Sequence, residues 1–275
     1  MAQKSYQQKI ADWQKERNES LRRENGWLAL SGLFWLKIGK NNIGSDAKCD
    51  VQLPERLPAN LGTLDFDGKT ISLQTAEGQK VKVNDKTTDN AVLEPDIADK
   101  PSFITIQDVR LVIIQRGNKV GVRMWDNQKI GRKKHPERTW YPIDEEFRFL
   151  ATYTPYEDQN MASFPDLNGE KAEFPVQGFL TFEFQEKKYK LDVNQEKDGT
   201  LFVRFWDPTS KDETYPTGRY LVAEEEGKGK FVLDFNKAYN PPCAFTPYAT
   251  CVFAPEQNHL DFKITAGETF IRSER

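Results

Sequence analysis

Short segments in which apolar and polar residues alternate, separated by turn-forming pairs, constrain the fold of this chain most. Such pairs occur at Asp67-Gly68, Glu77-Gly78, Asn84-Asp85 and Gly117-Asn118. A strand places successive side chains on opposite faces, so this pattern is typical of an all-β protein. Within residues 102–126 three such segments follow one another, and their order predicts two consecutive hairpins.

The second half of the chain continues the pattern. Residues 179–207 contain three short strand-like segments joined by tight turns, which predict an antiparallel meander. Residues 238–258 form a long proline-containing stretch without periodicity, and the alternating residues 259–265 after it predict a final strand. Irregular stretches of that length are uncommon in compact domains and are often functional. We expect an antiparallel β-barrel or sandwich here.

Residues 4–24 predict an amphipathic helix that ends at Asn25-Gly26. Its apolar positions follow the three-to-four spacing of one helix face: Tyr6, Ile10, Trp13 and Leu21. The apolar face either docks on the chain's own domain, which we favour, or binds a partner.

A basic loop at residues 127–138 lacks apolar periodicity and predicts a boundary between domains. We therefore expect an N-terminal helix (1–25), a first β domain (26–139) and a second β domain (140–275). The fold class predicted is mostly β, with aromatic residues, 12% of the chain, supplying much of the core.

Composition excludes several kinds of protein. With two histidines and three cysteines, the chain cannot form a three-histidine or four-cysteine zinc site alone. A net charge of −3 argues against a dedicated nucleic-acid binder. The most apolar stretch, residues 26–36, is too short to span a membrane, and the N-terminus shows no secretory signal. We expect a soluble, cytoplasmic protein that needs no cofactor and binds neither nucleic acid nor membranes.

Residues 41–85 carry three features in order: Ile43-Gly44, the segment Cys49–Pro54, and a strand that ends at Val83-Asn84. In these features the segment resembles a forkhead-associated domain, which implies a β-sandwich whose loops bind phosphothreonine. The resemblance also predicts an arginine directly after Gly44, where Ser45 stands, and a serine and a histidine where Leu57–Asn60 stand. Because Ser45 cannot supply a forked cation for a phosphate, we expect the sandwich without phosphothreonine binding.

A second set of motifs runs along nearly the whole chain. It comprises Gly26–Leu28, Gly32–Leu36, Arg116-Gly117, Val122-Arg123, Trp140–Pro142, Phe205–Ser210, Glu213–Tyr215, Gly218–Leu221, Leu233–Phe245, Tyr248–Cys251 and Ala266–Glu268. In these motifs the chain is similar to domain-of-unknown-function family 1684. The resemblance implies no established reaction. It implies that shorter relatives carry mainly the C-terminal half, which we therefore expect to be self-sufficient.

Polar side chains are concentrated between residues 207 and 240. Alternation along residues 230–236 places Asp234 and Asn236 on one face, and Arg219 opens the preceding strand. We hypothesise a ligand-binding pocket in which Arg219 recognises a carboxylate or phosphate. Its candidate residues are Arg219, Asp234, Asn236, Asn240, Thr214, Tyr215 and Asp207. The alternative is structural, with an Arg–Asp pair and asparagine side chains that bond the backbone of the proline-rich loop.

Cys243, Cys251 and His259 are each eight residues apart. They could bind a metal ion together with Asp261 or Asp234. The cysteines could instead be buried as small apolar side chains, or form a disulfide. These interpretations remain open, and we assign no metal.

We expect a protein that binds a small ligand or a peptide at the polar pocket of its C-terminal domain. Two alternatives remain open. One is an enzyme of unrecognised type that uses Arg219, Asp234, Asn236 and Cys243, and the other is a purely structural scaffold. We assign no catalytic residue, because no nucleophile–base pair, nucleophile elbow or glycine-rich phosphate loop is recognisable. The oligomeric state is not predicted.

Overall fold

The computed structural model describes residues 4–165 and 171–270. They are mostly β, as predicted, and begin with a long helix, α1 (Tyr6–Arg22), that confirms the predicted N-terminal helix. The chain divides into two compact units. One comprises Ser20–His135, and the other combines Met1–Glu19 with Pro136–Arg275. No helix within the described residues is long and apolar enough to cross a bilayer.

The unit Ser20–His135 consists of two β-sheets. Its elements are β1 (Leu30–Trp35), β2 (Gly39–Gly44), β3 (Val51–Gln52), β4 (Gly62–Phe66), β5 (Ile71–Thr75), β6 (Val81–Val83), β7 (Lys86–Thr88), β8 (Asn90–Leu93), β9 (Phe103–Ile106), β10 (Val109–Arg116), β11 (Lys119–Asp126) and the one-turn helix α2 (Gly131–Lys134). One sheet has the order β1-β11-β10-β9-β6-β7, and the other has the order β3-β2-β4-β5-β8.

The two sheets share one apolar core, so the predicted sandwich is confirmed. Ile43 and Leu64 from one sheet belong to the same buried cluster as Leu111, Ile113 and Val122 from the other. The antiparallel pairs β9–β10 and β10–β11 confirm the two predicted hairpins. Buried and half-buried residues alternate along β9, whereas β10 and β11 bury residues on both faces.

The C-terminal region forms a closed six-stranded antiparallel barrel, which decides between the two predicted architectures. Its strands are β12 (Arg148–Pro165), β13 (Lys171–Phe184), β14 (Lys187–Gln195), β15 (Leu201–Phe205), β16 (Arg219–Gly227) and β17 (Lys230–Asp234). Each strand pairs with the next one in the chain, and β12 also pairs with β17, with Arg148 opposite Asp234. This last pairing closes the sheet and leaves no edge.

Aromatic rings fill the barrel. The ring of Phe235 is fully buried, and its centroid lies 5.0 Å from that of Phe205 in an edge-to-face contact. Phe149 and Phe182 lie about the same ring, at 5.9 and 6.0 Å. The favourable edge-on geometry adds to the burial of large apolar surfaces. Aromatic residues therefore make up much of the barrel core, as the composition predicted.

The predicted final strand at residues 259–265 is wrong. Leu260 and Ile264 are buried in the barrel core, so the alternation correctly indicated burial. The backbone N–H of Ile264, however, donates to the carboxylate of Asp207 at 2.9 Å rather than to a neighbouring strand. Because a buried side chain takes the place of a sheet partner, the segment stays irregular.

Candidate functional site

A cleft of about 480 Å³ lies between α1 and the wall of the barrel. It is lined by Lys4, Tyr6, Lys9, Ile10, Glu145, Arg148, Glu224, Val232, Asp234 and Lys237. Lys4 precedes the helix, which contributes the next three of these residues, and the strands β12, β16 and β17 contribute most of the others. Pairing of β17 with both β12 and β16 brings these strands together.

The apolar face of α1 holds the helix against its own unit, as we favoured from the sequence. Ile10 is 1% exposed. One turn further on, the indole of Trp13 makes an edge-to-face contact with Trp140 at 5.5 Å. The guanidinium of Arg17 lies 4.0 Å from the ring centroid of Tyr239, within cation–π range. These contacts fix the helix that forms one wall of the cleft.

Asp234 is held in the cleft by hydrogen bonds from two neighbouring residues. The hydroxyl of Tyr6 donates to both carboxylate oxygens, at 2.9 and 3.0 Å, and the backbone and side-chain N–H groups of Asn236 donate to Oδ1, each at 3.1 Å. Burial, and next the charge of Asp234, raise the pKa of Tyr6 well above its usual value. Tyr6 therefore keeps its proton and acts as a donor at neutral pH.

Asn236 also fixes the loop that precedes β12. Its side-chain amide donates to the carbonyl of Asp144 at 2.7 Å, and its carbonyl oxygen accepts the backbone N–H of Asp144 at 2.9 Å. With Asn236 only 1% exposed, these bonds are made inside the protein. The asparagine thus positions both Asp234 and the neighbouring loop.

Charges of both signs line the cleft. Lys237 and Glu224 approach each other at 3.7 Å, and Gln7 donates to Glu145 at 2.8 Å. The guanidinium of Arg148 is exposed and lies 6.0 Å from the ring centroid of Tyr6. The lining is therefore complementary to a ligand that carries both an anionic and a cationic group.

The structure places Arg219 and Asp207 inside the protein, with 0% exposure of either residue. The guanidinium donates to Asp207 at 3.0 Å and to the carbonyls of Ile264 and Ala266, at 2.9 and 2.5 Å. Neither side chain meets solvent in this arrangement. The contacts are those of a brace between β16 and the irregular C-terminal segment.

The remaining predicted site residues lie in other surroundings. Thr214 is fully buried beside Thr209, with 3.0 Å between the two hydroxyl oxygens. The backbone N–H of Asn240 donates to Glu268 at 2.8 Å, and Glu268 also accepts from Arg138 at 2.6 Å. Burial raises the pKa of Glu268, although Arg138 opposes that effect. These groups tie the proline-rich loop to the rest of the unit.

Strand register explains why the predicted residues do not form one pocket. Pairing of β16 with β17 joins Glu224 to Val232, so Arg219 lies beyond the end of that ladder. Arg219 instead lies opposite Phe205 of β15, and Asp234 lies opposite Arg148 of β12. Their hydrogen bonds are made to different partners.

Cys243 and Cys251 have free thiols and lie together in the proline-rich loop. The backbone N–H of Cys243 donates to the sulfur of Cys251 at 3.1 Å. His259 is exposed, and its ring lies 5.2 Å from that of Trp206. Over residues 4–165 and 171–270, no group of three histidine, cysteine or acidic side chains is arranged to hold a metal ion.

Lys9, Arg148 and Lys237 line the cleft but were not predicted as site residues, and Tyr6 was predicted only as part of an apolar face. A tyrosine in an apolar stripe is a weak signal for a functional hydroxyl, because its polar end needs a partner when buried. No local pattern could connect Tyr6 with Asp234, since 228 residues separate them.

A family model matches the C-terminal part of the chain. The model of a family described as "Protein of unknown function (DUF1684)" matches residues 133–269, which confirms the predicted resemblance over that region. Motifs before residue 133 lie outside the match, and the forkhead-associated resemblance stays a prediction. No curated protein matches the chain.

One similar solved structure is the solution NMR structure of an uncharacterized protein from Haloarcula marismortui. It is 28% identical, and the match covers 50% of this chain and 78% of that chain, with a TM-score of 0.41.

Proposed function

We propose that the protein binds a small zwitterionic ligand in the cleft between α1 and the barrel. The observation that carries this proposal is that the cleft, of about 480 Å³, is lined by both cationic and anionic side chains. Cavities of roughly 300–1,000 Å³ are typical of small-molecule sites. A ligand with an ammonium group and a carboxylate or phosphate complements such a lining.

Asp234 supports the proposal as an acceptor for the ligand's ammonium group. Its Oδ1 accepts from Tyr6 and from both N–H groups of Asn236, whereas the described residues give Oδ2 only the Tyr6 hydroxyl. A carboxylate oxygen has room for a second donor. Because Tyr6 and Asn236 already hold the carboxylate in place, little conformational entropy is lost when a ligand binds.

Lys9 and Arg148 support the proposal as partners for the ligand's anion. Both are exposed, and neither takes part in an ion pair with the other residues described. Lys4 and Lys237, by contrast, each lie next to an acidic side chain, Asp12 and Glu224. Lys9 and Arg148 are therefore the cations available to bind a carboxylate or phosphate of the ligand.

The test is a thermal-shift screen of the full chain against amino acids, phosphorylated amines and other zwitterionic metabolites, followed by calorimetry on any compound that stabilises it. Lys9→Met should weaken binding by about ten- to a hundredfold, the value of one hydrogen bond to a charged group, about 1.5–3 kcal/mol. Lys15→Met is the matched control, since Lys15 is exposed on the same helix and does not line the cleft.

Tyr6→Phe provides a second variant, which removes only the hydroxyl that orients Asp234. We expect weaker binding with little change in the packing of α1. The proposal fails if no zwitterion raises the melting temperature, or if Lys9→Met and Tyr6→Phe both bind with wild-type affinity. A scaffold with no ligand would give the first of these results.

A further inference from the structure

The two cysteines of the proline-rich loop form a paired thiol site separate from the cleft. Cys251 is 5% exposed, and its sulfur accepts the backbone N–H of Cys243 at 3.1 Å. Cys243 is only partly buried and follows Pro242 in a single 3₁₀ turn. Eight residues separate them in the chain, so the backbone between them has returned on itself to bring one sulfur to the other residue.

Hydroxyl and thiol donors surround the sulfur of Cys243. The thiol of Cys251 and the hydroxyls of Tyr215 and Thr217 lie near enough to interact with it. The ring of Tyr215 is held by an edge-to-face contact with Phe270 at 5.0 Å. Donors fixed in this way stabilise a thiolate, and the bond from Cys251 above all lowers the pKa of Cys243 despite its burial.

The environment of Cys251 has the opposite effect. Its hydrogen bond to Cys243 is the main reason why its pKa is raised far above that of an ordinary thiol, and burial adds to the rise. Cys251 is therefore the protonated member of the pair. Cys243 is also the less buried residue of the two, so it is the one that a small disulfide can reach.

We propose that Cys243 and Cys251 are a redox-active dithiol that exchanges with small disulfides, with Cys243 as the attacking sulfur and Cys251 as the resolving one. The Cys243 thiolate attacks one sulfur of a low-molecular-weight disulfide. A mixed disulfide forms on Cys243, and the S–S bond of the small disulfide breaks to release one small thiolate, which takes up a proton.

The second step closes the protein disulfide. Once the Cys243 sulfur is bonded, it carries no charge, so the main cause of the raised pKa of Cys251 disappears. Cys251 then loses its proton to solvent and attacks Cys243, and the second small thiolate leaves and is protonated. In sum, two protein thiols are oxidised to one disulfide, and one small disulfide is reduced to two thiols.

Cys49 provides an internal reference. It is also partly exposed, but burial and the nearby charge of Asp46 raise its pKa. The described residues place no second cysteine beside it. It should therefore react slowly, and a mixed disulfide formed on it should persist.

The test uses reduced full-length protein treated with oxidised glutathione, followed by alkylation of the remaining thiols, intact mass spectrometry and peptide mapping. Wild type should form the Cys243–Cys251 disulfide while Cys49 stays alkylated. Cys251→Ser should stop at one glutathione on Cys243, whereas Cys243→Ser should show no modification at Cys251. Cys49→Ser should behave as wild type. Circular dichroism verifies that each variant is folded, and Cys251→Ala replaces Cys251→Ser if it is not.

Alkylation rates of the untreated wild type give a readout that needs no variant. Iodoacetamide should modify Cys243 faster than Cys49 at neutral pH, by about three- to fourfold for each unit that separates the two pKa values, because the larger thiolate fraction is partly offset by the lower nucleophilicity of the more acidic thiol. The proposal is overturned if Cys243 reacts no faster than Cys49, or if glutathione remains on Cys243 in the wild type without forming the internal disulfide. Oxidation that joins Cys49 to either cysteine would also overturn it.

Discussion

Replacing Arg219 with methionine tests whether this residue is a structural brace or a ligand-binding group. The change removes hydrogen bonds to Asp207 and to the carbonyls of Ile264 and Ala266, all in the interior. The carboxylate of Asp207, with 0% exposure, then remains buried without its cation. Loss of one partner of a buried ion pair costs about 3–5 kcal/mol. Since whole proteins are stable by about 5–15 kcal/mol, we expect severe destabilisation.

The assay is urea unfolding of the full chain, followed by pulsed hydrogen exchange and mass spectrometry. Peptides from β15 and β16 report on the barrel, and peptides from β10 and β11 report on the sandwich in the same sample. A loss of 3–5 kcal/mol corresponds to a fall in the barrel's midpoint of roughly 1 M urea or more. The sandwich midpoint should not move.

Two further variants sharpen the result. Lys187→Met breaks an exposed ion pair with Asp261 and should leave both midpoints unchanged. Asp207→Asn combined with Arg219→Met should cost less than the sum of the single changes, because the double variant leaves neither charge buried alone. If the barrel of Arg219→Met unfolds at the wild-type urea concentration, Arg219 is not a structural brace. If that stable variant also loses ligand binding, Arg219 is a ligand-binding residue.

Two other predictions concern stability. The hydrogen bond from Lys263 is the main reason why the pKa of Glu213 lies below its ordinary value of 4.5. Its stabilisation is therefore present above pH 4.5 and is lost as pH falls through the lower folded value, so the advantage of wild type over Glu213→Gln in urea unfolding should shrink below pH 4.5. Gly218 and Gly199 both have positive φ, but a Cβ on Gly218 would lie 2.3 Å from the carbonyl oxygen of Phe205, whereas one on Gly199 meets nothing within 4 Å. Calorimetric melting should show a loss of about 1–2 kcal/mol for Gly199→Ala and a clearly larger loss for Gly218→Ala, and equal losses would contradict the steric argument.

Local sequence patterns predicted most of the strands, but they could not predict that the barrel closes. The hairpins of β9 to β11 follow from short apolar segments and the turns between them, which act between near neighbours in the chain. The closing pair, Arg148 opposite Asp234, joins strands at the two ends of the meander. Such pairing depends on the register of every intervening strand, which is why the sequence left barrel and sandwich as alternatives.

The candidate site shows the same division. Alternation along residues 230–236 identified Asp234, but Arg219, which was expected in the same pocket, lies with Asp207 in the interior. The sequence pattern of a single strand shows which face a polar residue lies on. It does not show whether that face borders a cleft or a buried partner. The alternating segment after residue 258 misled for a related reason, because Ile264 is buried against a side-chain acceptor rather than in a sheet.

The bond between Tyr6 and Asp234 has a consequence for the order in which the chain can fold during synthesis. The helix leaves the ribosome before its docking surface exists, since its partner in β17 is made 228 residues later. The sandwich is complete in the meantime, because all its strands precede residue 127. N-terminal regions generally fold first during synthesis, yet here α1 must wait for β17, which is made much later. Until then α1 exposes an apolar stripe, and a chaperone that holds amphipathic helices would find it during that interval.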